Sequence, residues 1–242
     1  MPNIDFTPYL KRYRTGEWRA PIFRDAILHD AKMLPHKPTM LDIGCGQGFD
    51  TLHDIQTGLA DASKRYIGVE PDTSIVLGDI FTETHHCFFE DASIDAGSVD
   101  IAFAFMVLEH LEHPERFWKK VYEVLRPGGI FWSFTIDARH YFPAISLFLE
   151  RIGAKNMYLN TMHGRRGKDR YENYPTFYRS NTPKQIQQLA HKFSQCQTWT
   201  FGRVGQLDYY YPKGLQWVGR TIDRMTLGVG MPGSVIVMRV VK

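Results

Sequence analysis

The sequence predicts an α/β fold: a doubly wound, mostly parallel seven-stranded sheet with helices on both faces. Three observations predict it. Five short runs rich in β-branched and aromatic residues (39–43, 65–69, 85–90, 99–105 and 129–135) alternate with amphipathic stretches long enough for crossover helices. The run Ile101 to Phe105 is apolar at every position, as a strand covered on both faces should be. The first run leads directly into a glycine-rich turn, the place where open α/β sheets bind their ligands.

Taken in order, residues 7 to 34 carry Phe23, Ile27, Leu28, Ala31 and Leu34 at helical spacing, and Pro35 and Pro38 close them, so 1–37 is expected to be a helical cap. The core is expected over 38–136, with Pro127-Gly128-Gly129 ending a helix from Pro114 to Leu125 and launching the fifth strand. The alternation then lapses for about 45 residues, which predicts an insert over 137–181 acting as a lid. It resumes over 182–242 with a helix from Pro183 to Phe193, a strand near Thr198 to Val204 and a last strand from Ser234 to Val241. Asp208 to Leu227, aromatic and glycine-rich, carries no assignable pattern.

Composition narrows the function classes. A chain of 242 residues with 43% hydrophobic and 14% aromatic content is of ordinary size for one domain with an elaboration. The formal net charge is +3 and its 29 basic residues are spread along the chain, which gives no case for a dedicated nucleic-acid binder. Three cysteines, Cys45, Cys87 and Cys196, lack zinc or redox-pair spacing, and the N-terminal residues lack a signal-peptide pattern. The longest apolar run, Ile101 to Leu108, is far short of a membrane span, so a reducing cytoplasm is the expected location.

The turn Gly44-Cys45-Gly46-Gln47-Gly48 lets backbone approach a ligand and adopt positive φ. Its G-x-G-x-G spacing differs from the G-x-G-x-x-G of dinucleotide sites, which points to a nucleoside with a short tail. Asp42 just before it would need a partner for its charge, an ammonium group or waters serving one. Glu70 follows the second strand where an acid can accept from ribose hydroxyls, and Glu90 or Asp91 after the third could accept from an adenine amine.

The ordered set LDIGCGQG (41–48), GVEPD (68–72), EDASIDAGSVDIAFAFMVLEHLEHP (90–114) and LRPGG (125–129) resembles the motifs of class I S-adenosylmethionine methyltransferases. The resemblance covers roughly residues 38 to 136 and implies S-adenosylmethionine as cofactor. It implies that Gly44, Cys45, Gly46 and Gly48 hold the methionine end, and that Glu70 beside Pro71 binds the ribose. It further implies that Asp91 with Ala92 flanks the adenine and that Met106 with Val107 lines the cofactor. Glu109, His110 and His113 invite a metal, but Met106 stands where the related Glu-x-x-Glu-His run has its first ligand, so no metal is expected. The rival readings are a nicotinamide oxidoreductase on the same sheet and a cofactor-binding scaffold without catalysis.

For the acceptor, Lys155 to Arg179 holds six basic residues against two acids, interleaved with Tyr158, Tyr171, Tyr174, Phe177 and Tyr178. Arginine forks suit anionic groups and aromatic faces suit sugar rings or lipid stems, so Arg165, Arg166, Tyr174 and Tyr178 are the expected substrate-binding residues. The expected partner is a small-molecule, glycan or lipid acceptor; an RNA acceptor rests on the basic insert alone. Methyl transfer from a sulfonium needs mainly alignment. An oxygen acceptor would also benefit from a general base, for which His163 and His140 are the candidates. Ser180, Asn181 or Thr182 is expected to cap the helix beginning at Pro183.

Overall fold

The computed structural model describes residues 2–46, 48–50, 52–163, 174–212 and 214–242. A seven-stranded sheet has the order β3-β2-β1-β4-β5-β7-β6, built from β1 (Thr39–Ile43), β2 (Arg65–Val69), β3 (Glu83–His85), β4 (Val99–Phe105), β5 (Leu125–Ile136), β6 (Gln195–Phe201) and β7 (Val235–Val241). The pairs among β1 to β5 are all parallel, and β7 runs antiparallel to both β5 and β6. The strand order reverses between β1 and β4, which opens a crevice at their carboxyl ends.

On one face lie α1 (Thr7–Arg14), α2 (Arg19–Lys32) and α3 (His53–Ala62), packing Phe6, Phe23, Ile27 and Leu59 onto Met40, Phe103, Trp132 and Phe134. On the other, α4 (Pro114–Val124) and α7 (Pro183–Leu189) pack Phe117, Trp118, Val121 and Ile186 onto Leu41, Ala102, Phe131 and Met238. Every residue of β4 is buried because both faces are covered. α2 is pinned to the sheet by Asp30, which receives Arg239 Nε at 2.7 Å and Trp132 Nε1 at 2.8 Å.

Four expectations are corrected. The third strand is Glu83–His85, not 85–90; the apolar stretch after it forms a 3-10 turn in which Phe89 tucks against Phe117 and Phe88 points outward. β5 begins at Leu125 rather than Gly129, with a register shift opposite Val99 that the glycines permit. A Cβ at Gly129 would lie 2.9 Å from the Arg126 carbonyl and 3.1 Å from that of Val99. β6 starts at Gln195, three residues before the predicted strand, as a largely polar edge strand held by β7. The segment after β5 is not a plain loop but contains α5 (Tyr141–Arg151) and α6 (Lys155–His163). The unassigned stretch becomes α8 (Gln216–Gly228) after a 3-10 turn at Asp208–Tyr210. As expected, Pro183 opens α7 and Thr182 caps it, its side chain accepting from Gln185 N.

Candidate active site

β1 delivers the chain into the crevice, and three glycines turn it there: Gly44, Gly46 and Gly48 have φ of +71°, +20° and +79°. The turn is fastened to β2, since Gly44 and Cys45 N–H groups both donate to the Val69 carbonyl at 2.8 and 3.1 Å. Two glycines are required by contact as well as by conformation. A Cβ on Gly44 would lie 2.5 Å from Val107 Cγ2, and one on Gly46 would lie 2.8 Å from Glu70 Oε2. The turn, Glu70 and Val107 therefore converge. Met106, beside Val107, takes φ +57°, its N–H donating to the Phe134 carbonyl at 2.7 Å.

Glu70 is nearly buried at 7% exposure and accepts from the Gly46 and Asp72 N–H groups, each at 2.9 Å. Burial raises its pKa, against these two bonds, which favour the charged form. Pro71, next to it, is exposed. Asp42 lies beneath the turn, where Gln56 Nε2 donates to it at 3.0 Å and the Tyr66 hydroxyl at 2.8 Å. Gln56 also donates to the Cys45 carbonyl at 2.8 Å, so Asp42 braces the turn through an amide and obtains its hydrogen bonds within the protein. Burial pushes the Asp42 carboxyl up to about 7. Burial likewise raises the Cys45 thiol, which makes it an inert packing group.

Asp91 and Ala92 follow the 3-10 turn after β3. The Asp91 carboxylate is exposed and sits 3.7 Å from Arg116, while Ala92 is buried and its carbonyl accepts from Lys120 Nζ at 2.7 Å. Phe88, 68% exposed despite being aromatic, stands three residues before Asp91 on the same turn. Sequence reasoning placed it in a strand and missed it as a surface ring beside the adenine-side residues.

Beyond β4, Glu109 is 4% exposed; its Oε2 accepts from Thr135 Oγ1 at 2.6 Å, and its Oε1 takes no hydrogen bond among the described residues. Tyr178, in the left-handed region at φ +53°, has its hydroxyl pKa pushed up to about 12 by burial and then by the Glu109 charge. Tyr210 feels Arg19, Asp50 and Glu109 together, with burial the main cause of its raised pKa. Arg19 holds Asp50 by two bonds of 2.9 and 2.7 Å and lies over the Trp18 ring, joining the start of α2 to the end of the glycine turn. His110 turns away from Glu109, its Nδ1 2.7 Å from the Pro175 carbonyl.

Of the two predicted histidines, His140 is buried, receives Phe142 N at 3.3 Å as the cap of α5 and lies 3.2 Å from Gln206 Nε2. Burial lowers its pKa against the pull of Asp223 and Asp137. His163 ends α6, and its side chain lies outside the described residues, as do Arg165 and Arg166. Tyr174 reaches the residues just past β2, its hydroxyl donating to Asp72 Oδ2 at 2.6 Å. Sequence reasoning missed Arg19, Asp50 and Tyr210, because only the fold brings Arg19, Asp50 and Glu109 around Tyr210; the weak clue was the aromatic and basic character of the cap.

Residues 41–133 match a family model described as a methyltransferase domain. The chain is 31% identical over 96 residues to an S-adenosylmethionine-dependent methyltransferase of Mycolicibacterium smegmatis, covering 38% of this chain and 35% of that one. It is 26% identical over 170 residues to the mitochondrial ubiquinone biosynthesis O-methyltransferase of Mus musculus, covering 61% and 44%. The matched stretches thus span well under half of these relatives' lengths. Among solved structures, SAM-dependent methyltransferases from Archaeoglobus fulgidus and Thermotoga maritima share the fold. The first has a TM-score of 0.57 at 10% identity over 98% of this chain and 100% of that one. The second has a TM-score of 0.54 at 16% identity over 98% and 97%. Sheet order, glycine turn and family match agree that residues 41–133 carry a methyltransferase domain, on a sheet similar to that of class I S-adenosylmethionine-dependent methyltransferases.

Proposed function

We propose that the protein is an enzyme that transfers the methyl group of S-adenosylmethionine to an oxygen of a small-molecule, glycan or lipid acceptor, with Glu109 receiving the acceptor's proton. The residues fit the cofactor: the turn has no room for a side chain at Gly44 or Gly46, and buried Glu70 stands against it with oxygens suited to ribose hydroxyls. Gly44, Gly46, Gly48, Glu70, Asp91, Ala92, Met106 and Val107 would hold it, and when bound it supplies an electrophilic methyl on a cationic sulfur. The protein's remaining task is alignment and desolvation.

The observation that carries the oxygen reading is Glu109. One oxygen is fixed by Thr135, the other is uncommitted, and it follows Met106 and Val107 by two residues. Glu109 would take the proton of the acceptor hydroxyl as that oxygen becomes methylated. His140 is less suited, since capping α5 and contact with Gln206 engage both ring nitrogens. Tyr178, Tyr210 and the Arg19–Asp50 pair give the acceptor a polar, aromatic wall, to which Arg165 and Arg166 are proposed to add cations. The mouse relative, an O-methyltransferase of ubiquinone biosynthesis, supports an oxygen acceptor.

The test is to incubate the protein with S-adenosylmethionine and phenolic, glycoside and quinol compounds, reading a mass gain of one methyl group. Glu109→Gln should cut transfer by roughly 100-fold or more, with affinity for S-adenosylhomocysteine unchanged. Methylation confined to amines, or full activity in Glu109→Gln, would remove the oxygen reading. Binding without transfer to any compound would favour a scaffold instead.

A further inference from the structure

We infer that the segment Tyr174 to Arg179 is the outer wall of the cofactor crevice, and that the hydroxyl of Tyr174 on Asp72 is the contact that closes it; this rests on the cofactor reading above. The argument begins with connectivity. β2 and β4 flank β1 on opposite sides. Asp72 lies just past β2, two residues beyond Glu70, whose carboxylate its own N–H binds at 2.9 Å. Glu109 to Glu112 lie just past β4. The segment is tied to both places. At one end Tyr174 donates to Asp72 at 2.6 Å. Further along, the Pro175 carbonyl accepts from His110 Nδ1 at 2.7 Å, Phe177 N donates to the Glu109 carbonyl at 2.7 Å, and Arg179 Nη1 donates to the Glu112 carbonyl at 2.6 Å. A strap joining residues after β2 to residues after β4 must pass over the carboxyl end of β1, where the glycine turn lies.

The two ends of the strap differ in strength. Its β4 end is held by three contacts to backbone carbonyls or from backbone N–H groups, together with the left-handed turn at Tyr178. Its β2 end reaches Asp72 through a side-chain hydroxyl on an exposed carboxylate, with the Tyr174 ring set edge-on to His110 at 6.0 Å between centroids. Hydrogen bonds from Ser74 and from the Tyr174 hydroxyl keep the Asp72 carboxyl charged, below the usual range for a carboxylate. The hydroxyl bond to Asp72 is the strap's tie on the β2 side, and the left-handed turn at Tyr178 is its seat beside β4. Tyr174 is assigned to the cofactor, not to the acceptor, and passage of the nucleoside into and out of the crevice requires its hydroxyl to leave Asp72.

The experiment measures S-adenosylhomocysteine association and release by stopped-flow on the full chain. Because the contact spans the mouth of the crevice, removing it should speed both steps. Tyr174→Phe and Asp72→Ala should each raise the two rates by about 3- to 10-fold, the range expected for one hydrogen bond, with the thermal midpoint unchanged. The double variant should be no faster than either single one, because both remove the same contact. Rates within twofold of wild type in both variants, or additive effects in the double variant, would overturn the strap. If the wild-type protein binds neither S-adenosylhomocysteine nor S-adenosylmethionine, the cofactor reading falls and the strap with it; wild-type binding with unaffected variants removes the strap alone.

Discussion

The two halves of this active site are built in different ways. The half proposed for the cofactor is made by neighbours in the sheet: β1 and β2 end side by side, the glycine turn hangs on Val69, and Glu70 and Val107 fill the space where side chains are missing. The half proposed for the acceptor is assembled from parts distant in sequence, with Arg19 on Asp50, Thr135 on Glu109, and the strap on the turn after β4. The first is a local consequence of strand order and tight turns; the second exists only when cap, insert and C-terminal elements have docked.

Stability and cofactor affinity should accordingly be separable. The largest effect is expected at the buried anchor of the cap. Asp30→Ala leaves the Arg239 guanidinium, 1% exposed, without its carboxylate and should cost about 3 to 5 kcal/mol of stability by thermal or urea unfolding. At temperatures where it stays folded, the variant should still bind S-adenosylhomocysteine; loss of binding would mean that the halves are not independent. Gly44→Ala reverses the pattern. Its φ of +71° and the 2.5 Å approach of Val107 force the turn to move. S-adenosylhomocysteine binding by calorimetry should weaken on the order of 100-fold, about 2.7 kcal/mol, with a smaller loss of stability.

The smallest effect concerns pH. Asp42 has its folded pKa raised by burial to about 7, above the unfolded value near 3.9. A carboxyl shifted upward favours the folded state while it is protonated, so this contribution is lost as pH climbs from about 4 to about 7. Asp42→Asn should flatten the decline of the thermal midpoint across that window. Glu70, also raised by burial, acts in the same sense and leaves part of the slope.

The same contrast explains what could be read from the sequence. β1, β2 and β4 have the predicted ends, because these buried runs are stopped by Gly44, by Glu70 and by Met106 in the left-handed region. The glycine turn, Glu70 and Val107 were legible because motif spacing encodes contacts between adjacent strands. β3 was misplaced because it is a polar three-residue edge strand in which Glu83 pairs with Arg65, whereas the apolar residues after it serve a turn. α5 escaped notice because Ile145, Leu147 and Phe148 remain exposed and no single stripe marks its buried side. Glu109 was visible as a residue but not as the base proposed above, since its isolation from His110 depends on Thr135 and Pro175. Asp30 with Arg239 had no signal, as nothing local links positions 209 residues apart.

That last pairing has a consequence for how the molecule is made. Asp30 emerges early in synthesis, while the guanidinium that neutralises it sits on the final strand of the sheet. The ion pair that fastens the helix bearing it to the sheet is therefore complete only once β7 is seated between β5 and β6. Arg19, the first residue of that same helix, shares this late anchorage, whereas the glycine turn rests on contacts to β2.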